Sequence, residues 1–262
     1  LRNVSEKIKL NAAGKDRYAI YLPTNEWAPF VIFGIQSGST LLKDHDRYGD
    51  FSGSQFNGGF TFLIKMIHDG LSPIGVSQVT NVYQAFSEEY FVMYISGPWN
   101  IPEFKKWMSG PLRDKWSTAP LPGPDAATPG VSLAGGSSLV MSRLSKKKVA
   151  AWKFIEFLSQ PQVQLKFYQL LNDLPAVKDA WQDTTLANDP YMKAFFQQFH
   201  HVAATPKVPE WEQIAFAKVQ LYAELAARKR MTAGEALKKL DDDVDRILEK
   251  RRWLLSGNPN NE

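Results

Sequence analysis

Cysteine is missing from all 262 residues. Its absence excludes disulfides and thiolate chemistry, and it fits an exported chain as well as a cytoplasmic one. Long apolar runs are missing too, since none approaches the roughly 20 residues that span a bilayer. There is no phosphate loop of the GxxxxGKS/T type and no GxGxxG. There is no G-x-S-x-G elbow, and Ser137, beside Gly135-Gly136, has no evident base. Histidine is scarce: His45, His68, His200 and His201 form no i,i+4 pair, so no metal site is expected. Excess charge is small, 31 − 27 = +4, and reads as dispersed, which does not point to nucleic acid. No carboxylate pair stands out for glycoside hydrolysis, although spacing along the chain does not fix spacing in space.

What is present is aromatic. Phe, Trp and Tyr make up 13% of the chain, with eight Trp, enough to ask whether some of them serve a ligand. The stretch Phe91-Val-Met-Tyr-Ile-Ser-Gly-Pro-Trp-Asn100 reads as a buried strand broken at Gly97-Pro98, with Trp99 just past the break. Loops over strand ends are held by a rigid sheet and commonly carry ligand contacts. Trp99 reads equally as a core residue folding back.

Tyr18 to Leu22 predicts a strand, and residues 1–15 a helix end leading to Gly14. Phe56, Phe60, Leu63, Ile64 and Ile67 recur at helical spacing, with Gly70 as the stop. Gly58-Gly59 costs that helix about 1 kcal/mol each relative to Ala, which implies close packing or a later start at Phe60. Residues 43–54 read as a polar surface loop. Prolines 111, 120, 122, 124 and 129 make a stiff crossing segment. Ser132 to Met141 reads as a turn feeding a strand.

Ser145 can cap a helix lined by Ala151, Phe154, Ile155 and Leu158, and Pro161 opens another that buries Val163, Phe167, Leu170 and Leu171. Ile214, Ala217, Leu221 and Leu225 form one stripe. Thr232-Ala-Gly-Glu235 is a capping box for a last helix with Leu237, Leu240, Val244, Ile247 and Leu248 inward. Asp241-Asp-Asp243 reads as a solvated face, and the end from Ser256 as a polar tail.

Loops bearing Trp27, Trp99 and Trp211, with the Gly135-Gly136 turn, suit a sugar. An aromatic face covers a patch of C–H groups, and polar groups take the hydroxyls. Trp107, Trp152, Trp181 and Trp253 lie in helical patterns and read as packing residues.

The order of motifs is more specific than any one of them. It runs Asn25-Glu-Trp27; Gln36-Ser-Gly38 with Leu41-Leu42; Phe86 and Met93-Tyr-Ile-Ser-Gly-Pro-Trp99; Ala119-Pro-Leu-Pro122; Gly135-Gly-Ser137; Ala150-Ala-Trp152 with Phe154-Ile155 and Phe157-Leu158; Leu174-Pro175; Pro206 and Pro209; and Ala236-Leu237. In this order the chain resembles the carbohydrate-binding subunits of ABC importers, the extracellular solute-binding proteins of the maltose/trehalose-binding type.

The resemblance implies an α/β, two-lobed, type II periplasmic-binding-protein-like fold, lacking about the first third. Residues 1–118 would lie in the C-terminal lobe, 119–175 would return to the N-terminal lobe, and 176–262 would finish the C-terminal lobe. It implies a periplasmic or extracellular receptor, not an enzyme, that holds a di- or oligosaccharide and delivers it to the permease subunits. No cofactor, metal or nucleic acid is implied, and the membrane is met only through the transporter. The ligand-binding residues it implies are Glu26, Trp27, Gly97, Trp99, Gly135, Gly136, Ser137 and Trp211. Relatives often place an Arg before the proline matching Pro206. Here Thr205 stands instead, and a hydrogen-bonding fork to sugar hydroxyls is lost. The alternatives are a receptor for another solute, such as glycerol phosphate or a polyamine, and a glycosidase.

Overall fold

The computed structural model describes residues 1–11, 17–74, 79–125 and 127–256. The expected stop at Gly14 and the tail beyond Ser256 lie outside them. The chain forms two compact units: residues 1–95, 121–133 and 201–262 in the first, and 96–120 with 134–200 in the second. The proline-rich stretch from Ala119 thus carries one change of unit, at 120/121.

In the first unit Tyr18–Tyr21 pairs in parallel with Phe91–Tyr94, in the register Tyr18 to Phe91, Ile20 to Met93 and Tyr21 to Tyr94. The second strand was expected to be buried, but only Phe91 is. Val92 is exposed, and Met93 and Tyr94 are half-buried. A two-stranded sheet has edges on both sides and covers little of its own width.

The helix Ala28–Gln36 buries six consecutive residues, Pro29 to Gly34, and packs on Ser54–His68. That second helix follows its predicted stripe, with Phe56, Phe60, Leu63, Ile64 and Ile67 all buried. Residues 43–54 are not simply a loop. Leu42–Lys43 and Tyr48–Gly49 pair antiparallel around a turn in which Asp44, His45 and Asp46 all have positive φ.

The last long helix, Ala233–Ile247, has its predicted capping box and buries Leu237, Leu240 and Val244, with Leu248 just beyond. Its acidic run is not a solvated face. Asp243 is buried against Lys218, Arg246 and the Tyr222 hydroxyl, and Asp241 accepts from the Phe51 and Ser52 backbone N–H groups. The stripe expected along Ile214, Ala217, Leu221 and Leu225 fails as well. The buried residues after Trp211 are Ile214, Ala215, Val219, Tyr222, Ala223, Ala226 and Ala227, while Leu221 is 44% exposed. The cause is a π-helical stretch, Gln213–Val219, which adds a residue to one turn and rotates everything after it.

In the second unit Ile101, Tyr168, Leu186 and Met192 form a small core, with Trp116 stacked on Tyr191 at 4.1 Å. Its helix Pro161–Leu171 begins where expected, while Lys148–Leu158 starts after Lys147 with no side-chain cap instead of being capped by Ser145, and neither buries the expected face. Lys148–Leu158 buries no residue and Pro161–Leu171 only Tyr168. Phe154, Phe167, Leu170 and Leu171 are exposed, and so are Trp107 and Trp152; in the first unit Trp253 is exposed too. Trp181 alone of those four packs, against Phe196 and Phe199. No strand follows Gly135-Gly136. The strand Ser132–Leu133 precedes them and pairs in parallel with Val202–Ala203.

Candidate functional site

The first unit holds three of the predicted site residues, Glu26, Trp27 and Trp211, and brings the two Trp rings into contact. A turn closed by the Glu26 N–H donating to the Pro23 carbonyl at 3.3 Å leads from the strand Tyr18–Tyr21 into the helix Ala28–Gln36. Trp27 caps that helix, and Pro29 suits its first turn. Glu26 therefore stands beside the positive end of a helix, where negative charge is favoured.

The Tyr94 hydroxyl donates to Glu26 Oε1 at 3.2 Å. Burial holds the Glu26 carboxyl above the usual carboxylate range, and the hydrogen bond from Tyr94 offsets this in part. Tyr21 stacks on Tyr94 at 5.8 Å. Burial first, then the Glu26 charge, push the Tyr21 phenol up to about 12.

A carboxyl raised in the folded state gives stability that is present below its unfolded value and is lost as pH rises through the folded one. Glu26→Gln keeps an acceptor for Tyr94 and cannot ionise. The variant should melt close to the parent near pH 4 and above it at pH 8, as read by thermal unfolding across that range. Equal melting temperatures at both ends would refute the assignment.

Trp211 was expected in a loop. It opens the helical run through Val219 and is only 5% exposed. Its ring meets Trp27 edge-to-face, 5.7 Å between centroids at 86°. Its indole N–H is buried without a hydrogen-bond partner among the described residues, and so is Glu210 Oε2. A buried unpaired donor costs about 1–3 kcal/mol. Phe216 completes the aromatic group, 6.0 Å from Trp27 at 70°. Sequence reading missed it, because α-helical spacing from Trp211 places it on another face.

The second unit holds Gly97, Trp99, Gly135, Gly136 and Ser137. Trp99 caps the helix Asn100–Trp107 and is 59% exposed, so it does not fold back into a core. Instead its indole lies over Gly97, where an added Cβ would stand 2.0 Å from the ring. Gly97 is thus the seat of Trp99. Gly135, Gly136 and Ser137 lie on an exposed segment, and Gly136 has φ +128°, a conformation only glycine adopts readily.

Charge is less dispersed than the sequence suggested. Residues 126–172 contain six Lys or Arg and one acidic residue, Glu156, so 6 − 1 = +5 against +4 for the whole chain. Five of the six cations, Arg143, Lys146, Lys147, Lys148 and Lys153, line a shallow concavity of about 800 Å3 that includes none of the site aromatics. No group of metal-binding side chains occurs among the described residues, and no helix among them is long and apolar enough to cross a membrane.

The family model described as bacterial extracellular solute-binding protein matches residues 1–194. A solved structure of the sugar-binding protein MalE from Xanthomonas citri superposes with a TM-score of 0.89 at 40% identity, covering 97% of this chain and 66% of that one. The maltodextrin-binding protein MdxE of Bacillus subtilis is 24% identical over 169 residues, 64% of this chain and 39% of that protein. The maltotriose-binding protein of Pyrococcus abyssi is 26% identical over 203 residues, 74% of this chain and 42% of that protein. The chain thus spans less than half the length of these two relatives. The architecture is that of the periplasmic binding proteins, as the sequence resemblance implied.

Proposed function

The chain belongs to the bacterial extracellular solute-binding proteins, and from that membership we propose that it is the sugar-binding part of an ABC import receptor. It takes a neutral di- or oligosaccharide of the maltose kind and hands it to a membrane permease outside the cytoplasm. It binds and releases, without catalysis.

The observation that carries this reading is the group of Trp27, Trp211 and Glu26 in the first unit. Its rings offer apolar faces for the C–H patch of a pyranose. The Glu26 carboxylate offers an acceptor for hydroxyls. In the second unit, taken by itself, Trp99 is exposed over its glycine seat and offers an apolar face of the same kind. Carbohydrate names among the relatives support the same class of solute.

Calorimetric titration with maltose, maltotriose and trehalose, set against glycerol phosphate and a polyamine, tests this. We expect heat of binding from at least one neutral sugar and none from the charged solutes. Binding confined to the charged solutes would overturn the reading, and so would hydrolysis products in the sugar mixtures.

A further inference from the structure

We propose that the basic concavity of the second unit is a docking surface for an anionic lipid membrane. Arg143, Lys146, Lys147, Lys148 and Lys153 meet the phosphate headgroups, and Leu144 enters the layer between them. The contact is direct, beside any made through a permease, and it does not depend on which solute the chain carries.

A tight turn builds the front of the surface. The Ser145 N–H donates to the Ser142 carbonyl at 3.1 Å, so Arg143 and Leu144 stand at the corners. The Ser142 hydroxyl accepts from the Leu144 N–H at 3.3 Å, and the Ser145 hydroxyl accepts from the Lys147 N–H at 3.2 Å. These bonds fix the turn, and Leu144 at its corner is 81% exposed. The helix Lys148–Leu158 builds the back. Val149 and Lys153 are four residues apart and share one face of it, and Val149 is 74% exposed.

The cations are open to an outside partner. All five are exposed, and none forms an ion pair among the described residues. Elsewhere the fold does neutralise its lysines, as Lys105 meets Asp189 and Lys218 meets Asp243. Lys146, Lys147 and Lys148 also crowd the positive end of a helix, where like charge is disfavoured, and Lys147 gives that helix no side-chain cap. Such a cluster works against folding through its own repulsion, and an opposing anionic surface removes the repulsion.

Shape and chemistry select the anion. A single small anion wants a closed pocket with converging donors. Here the concavity is shallow, and its cations are spread over a turn and a helix, which suits an array of charges. A second copy of this chain is disfavoured by the same +5 charge of residues 126–172. Apolar side chains interleaved with cations favour lipid over an acidic polypeptide. In the headgroup region the cations take phosphates while the apolar groups reach the acyl boundary.

The test is co-sedimentation of the whole chain with vesicles of phosphatidylcholine and phosphatidylglycerol, beside vesicles of phosphatidylcholine alone. Binding is expected to the anionic vesicles at about 0.1 M salt. It should vanish on neutral vesicles and at about 1 M salt, where charges are screened within about 3 Å. The variant Lys146→Gln, Lys147→Gln, Lys148→Gln should bind about a hundredfold more weakly, roughly fivefold for each cation lost near an anionic surface. The variant Lys238→Gln, Lys239→Gln, Lys250→Gln makes the same change of net charge, 4 − 3 = +1, and should bind as the parent does. Leu144→Ser should weaken binding several-fold and keep its salt dependence. All the substituted side chains are exposed, so circular dichroism and melting temperatures should match the parent's. Equal loss in the two triple variants would reduce the binding to net charge and overturn the site. So would equal binding to both kinds of vesicle, no binding to either, or retention on polyglutamate beads in place of vesicles, which would assign the surface to an acidic polypeptide.

Discussion

Gly59→Ala should destabilise the chain by about 2–3 kcal/mol, and Gly58→Ala, one residue earlier in the same helix, should stabilise it by about 0.5–1 kcal/mol. The two substitutions add the same methyl group to the same helix and gain the same helical propensity. They differ in what the methyl meets. At Gly59 an added Cβ would stand 2.3 Å from the Phe33 carbonyl oxygen and 2.4 Å from its carbon, both backbone atoms of the packed helix Ala28–Gln36. Backbone cannot rotate aside as a side chain can, so the helices must separate along a contact where Phe30 and Phe60 rings lie 5.5 Å apart. At Gly58 nothing lies within 4 Å. Urea unfolding monitored by circular dichroism reads both effects as shifts in midpoint at constant slope. Shifts of the same sign in the two variants would contradict this packing.

Trp99→Ala should weaken sugar binding by about 2 kcal/mol, well over tenfold, while leaving the melting temperature nearly unchanged. The two parts of that expectation come from one fact. The ring is 59% exposed and lies over Gly97, so its removal opens no cavity and its apolar face is available to a ligand. Most buried Trp to Ala changes do the opposite and cost about 3–5 kcal/mol of stability. Calorimetry and thermal unfolding on the same sample separate the two. Unchanged affinity would remove Trp99 from the site, and a large loss of stability would place it in the core.

The helix around Phe56 to Ile67 was legible because its partner helix is close in sequence and its stripe keeps one period from end to end. The capping box at Thr232 and Glu235 was legible because it is local: four consecutive residues contain the whole interaction. The Gly58-Gly59 pair was half legible. Its cost implied close packing, but only the position of Phe33, 26 residues upstream, separates the glycine that is needed from the one that is not.

What failed was non-local. Asp243 lies within an acidic run, and nothing nearby in sequence announces that Lys218 and Tyr222 will bury it. The Trp211 helix keeps an apparent α stripe through Leu225, yet one extra residue in a π turn moves the buried face and brings Phe216 to Trp27. Periodicity cannot show a turn that breaks the period once and then resumes it.

The site was legible in its chemistry more than in its placement. The Trp27 and Trp211 rings meet, while the Glu26 carboxyl is held by Tyr94. The buried position of Trp211, the Tyr94 hydroxyl on Glu26 and the exposure of Trp99 were not legible, since each depends on neighbours from other segments.

The helix Lys148–Leu158 contains Trp152, Phe154 and Phe157 and buries none of its residues. Apolar side chains already in water gain little new contact with it when the helix unravels. The heat capacity of unfolding rises with newly exposed apolar surface, so this stretch adds far less to it than the packed helix Ser54–His68, whose seven buried residues are all uncovered on unfolding. Its backbone amides, guarded by little more than their own hydrogen bonds, belong among the first to exchange with solvent deuterium, and those of Ser54–His68 among the last.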